Sequence, residues 1–215
     1  MIVSLNVGKP RSMLYEGNEV YTGIDKKPIA GRVMLRSTNL DGDEQADCVN
    51  HGGVDKAVCV YSAVRYTYWE QELHRPFAWA AFGENVTVAG FVEEDVCVGD
   101  RFQLGEAVVE ISQPRGPCYK VAKKHSVPDL PLRMQMNGYT GYYFRVIREG
   151  FVQAGDVVSR IEAHPCSVTI MEVNRVAYQK EGGVAGLRRV LACDKLSLAW
   201  KGLLQKRLNS EGQEG

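Results

Sequence analysis

The apolar positions of this chain repeat in two ways. Through the first three quarters they come as short alternating or continuous runs, each closed by a turn signal. Such runs predict strands at Ile2–Val7, 31–35, 57–61, 86–88, 96–98, 101–104, 107–111, 141–147 and 157–161. Gly99-Asp100 and Gly105-Glu106 are hairpin-type signals between three of them. One helix interrupts the series. Ser62 can cap its start, and Tyr66, Trp69 and Leu73 share a face that ends near His74-Arg75-Pro76. Those aromatic residues read as core, and His74 as a partner of the helix dipole. Two prolines, Pro114 and Pro117, should take the chain out of its strand and stiffen the segment after it.

Near residue 166 the period changes to 3.6. Thr169 and Glu172 spell a capping box, and Val168 can staple onto Val173. Val173, Val176 and Ala177 make one helical face, and Leu187, Val190 and Leu191 a second. Asp194 is expected to cap a third helix with apolar positions at Leu196, Ala199, Trp200, Leu203, Leu204 and Leu208, of which Leu196, Ala199, Trp200 and Leu203 should be mostly buried. The chain therefore reads as mainly β over residues 1–164, with many short strands closing into a β-barrel that leaves no exposed edge. Residues 165–215 read as a small three-helix domain with a short polar tail.

Composition narrows the classes of function. Lys+Arg and Asp+Glu are both 26, so the chain is neutral, which argues against a nucleic-acid partner held by bulk charge. No apolar run approaches the roughly 18 residues of a membrane span. The first residues lack the basic and apolar regions of a signal peptide. Six cysteines are scattered without a CxxC pair, so neither a disulfide framework nor a Cys-only zinc site is indicated. A reducing cytoplasm is the expected location. Cys59 reads as core filler, and Cys166 and Cys193 as structural. Cys48 and His51 have a metal-ligand spacing, but no second pair completes a zinc site.

Three loops carry more polar chemistry than a turn requires. In Gln113-Pro114-Arg115-Gly116-Pro117-Cys118-Tyr119-Lys120, a single cysteine ends a rigid basic turn, with Lys123 and Lys124 following. A thiol among cations should be partly thiolate, the form that attacks electrophiles or binds soft metals. The plain alternative is a buried structural thiol. Asn50-His51-Gly52-Gly53-Val54-Asp55-Lys56 sets His, Asp and Lys beside two glycines that permit close backbone approach to a ligand. It reads equally as a Gly-Gly hairpin turn. Glu84 and Asn85 sit at the mouth of a strand, where they could bond a ligand or close the turn itself. Lys9 and Arg11 lie in a loop that reads as a solvated turn.

Taken in order, Gly42-Asp43-Glu44-Gln45-Ala46-Asp47, Asn50 to Ala57, Gly83-Glu84-Asn85 and Gln113 to Lys120 resemble the motifs of MOSC-domain proteins, most of all the bacterial YiiM type. The C-terminal helices resemble the three-helix unit of that subgroup. The resemblance covers nearly the whole chain. It implies a β-barrel binding the molybdenum cofactor (molybdopterin), with molybdenum held by the pterin dithiolene and one protein cysteine. That cysteine falls on Cys118, which is thereby the implied catalytic residue and metal ligand. Cofactor contact is implied for His51, Gly52, Gly53, Asp55, Lys56, Glu84, Asn85, Arg115, Tyr119 and Lys120. Lys56 and Arg115 suit its phosphate, and Asp55, Glu84 and Asn85 its pterin N–H groups or the support of other ligands.

The implied activity is reduction of N-hydroxylated compounds such as 6-hydroxylaminopurine. The chain has neither a GxGxxG nucleotide fingerprint nor an iron–sulfur cysteine spacing, so a separate electron-donor protein is expected, with the helical tail as its natural dock. Two rival readings remain at this level. One is a cofactor or sulfur carrier without turnover, and the other a metal-free module whose loops bind an anion.

Overall fold

The computed structural model describes residues 1–15, 17–47 and 52–211. Its strands are β1 (Ile2–Val7), β2 (Arg11–Tyr15), β3 (Asn18–Thr22), β4 (Lys27–Pro28), β5 (Val33–Leu35), β6 (Val58–Ser62), β7 (Val86–Val88), β8 (Arg101–Leu104), β9 (Ala107–Pro114), β10 (Tyr142–Arg148), β11 (Gly150–Val152) and β12 (Val158–Glu162). Its helices are α1 (Ala63–Leu73), α2 (Tyr119–His125), α3 (Leu130–Asn137), α4 (Ile170–Asn174, continued by a π-helical turn over Arg175–Gln179), α5 (Gly183–Leu191) and α6 (Leu198–Glu211).

Eight strands form one sheet in the order β12-β8-β9-β10-β6-β7-β1-β4, with β2–β3 and β5–β11 as separate pairs. Neighbours are antiparallel except β6 and β7, whose parallel pairing follows from the crossover through α1. The chain is thus mainly sheet with a helical C-terminal unit, but the expected closed barrel needs correction. No ladder joins β12 to β4 among the described residues. The sheet does curl, since Ile2 N donates to the Asp156 carbonyl (2.8 Å) and Gly155 N to the Ile2 carbonyl (2.9 Å). Closure is unnecessary because both edges are blunted. β4 is two residues long and contains Pro28, and β12 exposes Ser159, Arg160 and Glu162.

Several local readings hold. Ser62 Oγ accepts from Val64 N, and Thr169 Oγ1 from Glu172 N (2.9 Å), so both caps form. The Glu172 carboxylate turns to Arg189 instead of closing the capping box. Tyr66 and Trp69 are buried. Other readings shift. β9 runs through Pro114, opposite Tyr142, because a register shift at Tyr143/Phe144 accommodates the missing donor. Residues 96–98 make no sheet strand; they bond to the entry of α4, through Val98 N to the Val168 carbonyl and Ile170 N to the Val96 carbonyl (both 2.9 Å). Ser197, not Asp194, caps α6, its Oγ accepting from Trp200 N (3.3 Å). The α6 stripe is only half covered. Trp200 and Leu204 are buried, while Ala199 and Leu203 face outward, because the helix packs along one side only.

The apolar interior does not divide where the period changes. Leu5, Val60, Phe102, Ile111 and Phe144 of the sheet belong to one cluster with Ile170, Val173, Leu187, Val190, Trp200 and Leu204 of the helices. A second cluster joins Tyr61, Tyr66, Trp69 and Phe82 to Val121, Leu130 and Met134 of α2 and α3. No helix among the described residues is long and apolar enough to cross a membrane.

Candidate cofactor site

Strands β9, β10, β6 and β7 are consecutive in the sheet, and their ends at one side carry Arg115, Tyr143, Cys59 and Asn85. These residues, with Lys26, Lys56, Cys118, Lys120 and the segments 22–24 and 44–47, line a cavity of about 80 Å³. Close backbone approach builds its wall. A Cβ on Gly23 would stand 2.6 Å from the Glu44 carbonyl oxygen, and one on Gly83, at φ +79°, 2.6 Å from Ile24 Cγ1. Both positions therefore require glycine.

Cys118 occupies the position before α2, with extended backbone and no capping bond from its side chain, and it is half-buried. Arg115 is buried, and its Nη1 has no hydrogen-bond partner among the described residues. Burial works against its charge, but Cys59, Tyr143 and Cys118 outweigh that, and its pKa is raised. Burial lowers the pKa of Lys56, opposed by Asp47 and Asp55. Burial likewise pushes up the Cys59 thiol and the Tyr143 hydroxyl. Asn85 is locked in place, its Oδ1 accepting from Cys59 N (3.1 Å) and its Nδ2 donating to Asp43 Oδ2 (2.9 Å). Asp43 also takes Gly8 N (2.9 Å) and pairs with buried Lys26.

Of the residues expected to contact a ligand, Lys56, Asn85, Arg115, Cys118 and Lys120 converge on this cavity. Others have different employment. Glu84 is wholly buried and saturated by Ala80 N, Phe82 N, Thr87 Oγ1 and the Tyr66 hydroxyl, so it closes the turn before β7. Asp55 pairs with Arg145 (2.9 Å). Tyr119 is exposed and stacks against the Lys123 ammonium. Gly52 and Gly53 lead into the short turn Val54–Lys56, Gly53 at φ +96° with open space around it. His51 and Cys48 lie outside the described residues. The readings missed Cys59, Tyr143, Lys26 and Asp43. Asp43 lay within a quoted motif; buried strand residues such as Cys59 and Tyr143 carry no signal that separates lining from core.

A second cavity of about 160 Å³ adjoins the first, sharing Lys56, Gly116 and Tyr143 with it. Gln113 and the α6 residues Ala199, Trp200 and Leu203 complete it. Gln113 is buried, and its Oε1 has no partner among the described residues.

With this geometry in place, relatives are informative. Residues 47–159 match the MOSC domain model, and residues 168–211 match the YiiM-like, 3-alpha helix domain model. The chain is 47% identical over 206 residues to YflK of Bacillus subtilis (strain 168), covering 96% of this chain and 93% of that protein. It is 33% identical over 165 residues to a protein named reductase from Gibberella moniliformis (strain M3125 / FGSC 7600), covering 74% of this chain and 29% of that one. The crystal structure of YiiM from Geobacillus stearothermophilus superposes with a TM-score of 0.82 at 38% identity, covering 96% of this chain and 98% of that one. The chain belongs to the MOSC-domain family, with the YiiM-like three-helix unit behind that domain.

Proposed function

We propose that this protein is a molybdenum-cofactor-dependent reductase of N-hydroxylated compounds, such as 6-hydroxylaminopurine. One observation carries the reading: a half-buried thiol, Cys118, shares a cavity with the buried Arg115, whose Nη1 is unpartnered among the described residues. A thiolate is a soft donor suited to a metal already held by sulfur. A buried guanidinium with a free N–H suits a phosphate, and Lys56 and Lys120 add positive charge to the same wall. The donor set therefore fits the cofactor. Cys118 would bind its metal, Arg115, Lys56 and Lys120 its phosphate, and the locked Asn85 would support the site. The bound cofactor supplies two-electron redox chemistry, and the protein supplies orientation and electrostatics.

The adjoining cavity is the seat for the substrate in this reading. Trp200, Leu203 and Tyr143 offer apolar and aromatic surface to a flat heteroaromatic base, and Gln113 Oε1, without a partner among the described residues, can accept from its amino groups. Electrons come from a separate donor protein. The family assignment and the reductase name of a distant relative support an oxidoreductase over a carrier. The test is expression in a host that makes the cofactor, followed by molybdenum and pterin analysis and a reductase assay with an artificial donor. Metal-loaded protein that turns over 6-hydroxylaminopurine is expected. Loaded protein without turnover would make it a carrier, and unloaded protein a metal-free module.

A further inference from the structure

Away from that site, three chemistry-bearing side chains meet where the helical unit joins the sheet. Cys166 Sγ and Cys193 Sγ lie 2.6 Å apart, and His164 Nδ1 lies 3.0 Å from Cys166 Sγ. The sulfurs are much closer than non-bonded thiols pack, and roughly half an ångström from the 2.05 Å of an S–S bond. A tetrahedral metal would instead hold two sulfurs well apart, at bonds of about 2.3 Å each. The histidine is positioned, not incidental. Its backbone N donates to Asp100 Oδ1 (2.8 Å), and its ring fills the space that the missing Cβ of Gly99 leaves open, at φ +90°. Cys166 N also donates to His164 Nδ1 (3.4 Å), so Nδ1 carries the lone pair and Nε2–H faces Asp194 Oδ1 (3.3 Å). Nucleophile, base and orienting carboxylate stand in the order that activates a thiol.

We propose that Cys166 and Cys193 are a redox-active dithiol, oxidised by low-molecular-weight disulfides, with Cys166 as nucleophile, His164 as its base and Cys193 as the resolving thiol. His164 Nδ1 takes the Cys166 proton. The thiolate attacks one sulfur of the small disulfide, forming a mixed disulfide and releasing one thiolate, which takes the proton back. Cys193 then attacks Cys166 Sγ, its proton leaving with the second small thiol. The protein gives up two electrons and two protons, and one disulfide becomes two thiols. Accessibility sets the division of labour: Cys166 is half-buried and Cys193 wholly buried. Burial also raises the Cys193 thiol, which keeps it protonated until Cys166 carries a leaving group. The bond would tie the entry of α4 to the turn that launches α6, whose Trp200 walls the cavity beside Cys118.

The test uses the full chain, reduced, freed of reductant and incubated with oxidised glutathione. Thiols are then counted under denaturing conditions and peptides mapped by mass spectrometry. The expected result is loss of the Cys166 and Cys193 thiols, whatever happens at Cys118, one Cys166–Cys193 peptide pair, and a higher Tm for the oxidised form. Cys193→Ser should accumulate glutathione on Cys166, and Cys166→Ser should accumulate none at either position. His164→Gln should slow the wild-type reaction at least tenfold and change the pH profile of its rate. The proposal is overturned if both thiols survive while Cys97 or Cys118 reacts. It is equally overturned if the reduced chain binds stoichiometric zinc through them and resists oxidation. The wild-type map decides alone should a variant fail to fold.

Discussion

Cys118 and Arg115 sit in one loop but should fail differently. Replacing Cys118 by Ser substitutes a hydroxyl that is neither soft nor ionised at neutral pH, at a position outside the core. Reductase activity should vanish while Tm stays within a few degrees of wild type. Full activity at full molybdenum loading would remove the thiolate from the site. Arg115→Ala removes charge-assisted hydrogen bonds worth about 1.5–3 kcal/mol, so cofactor affinity should fall by about one to two orders of magnitude. Its Nη1 has no hydrogen-bond partner among the described residues, and its backbone N keeps its bond to the Gly141 carbonyl. The cofactor-free variant should therefore melt close to the wild type. Bound molybdenum per chain and the Tm of both forms separate the two effects. Both residues were legible in the sequence because proline, arginine and cysteine are crowded together there. Glu84 and Asp55 were legible as polar loop residues, but not as residues whose hydrogen bonds are spent inside the protein. For Asp55 that distinction depends on Arg145, ninety residues on; for Glu84 it depends on how the turn folds, since Ala80, Phe82 and Thr87 are near in sequence but give no sign that they bond its carboxylate.

At the scale of elements, α2 carries a pH liability. His125 ends that helix, buried against Phe77 and Phe82, with Nε2 donating to the Ala81 carbonyl (2.8 Å). Burial pulls its pKa down to about 4, from the ordinary 6.5. Between these values the unfolded chain binds a proton that the folded chain refuses. Stability is therefore intact above about pH 6.5 and falls as the pH drops toward 4, by on the order of 3 kcal/mol in full. His125→Gln keeps a donor for Ala81 and should flatten this part of the acid limb, read by urea titrations at pH 7 and 4.5. A loss equal to that of wild type would show that other groups carry the acid sensitivity. α6 makes a second prediction. Leu203 is 56% exposed yet lines the cavity proposed for the substrate. Leu203→Asp should raise KM several-fold with little change in kcat or Tm, because it leaves Cys118 and the core untouched. An unchanged KM would place the substrate elsewhere. Helix caps were legible here because Ser62 and Thr169 act over two or three residues. The β2–β3 hairpin was not, since its strands are mostly exposed and polar and show no clean alternation. Nor was α3, which buries only Leu130 and Met134 and places Pro131 in its first turn.

At the scale of the whole molecule, the change of hydrophobic period near residue 166 marks a change of secondary structure within a shared apolar cluster. Period is a local property; who packs on whom is not, so the division into residues 1–164 and 165–215 becomes a question of cooperativity. The shared cluster predicts one cooperative unfolding transition. Two tryptophans report on the two regions. Trp69 is wholly buried beneath Phe82 and Tyr61 in the α1 cluster, and Trp200 is buried in α6. Variants keeping only one of them, with the other and Trp79 changed to Phe, should show fluorescence midpoints in urea that coincide with each other and with circular dichroism. Leu204→Ala, in the same helix and fully buried, should cost about 2–5 kcal/mol and move all three midpoints together. If Trp200 reports an earlier transition than Trp69, and Leu204→Ala shifts only that one, the helices fold as an independent domain. The contacts from Val168 to Leu204 would then be docking rather than core.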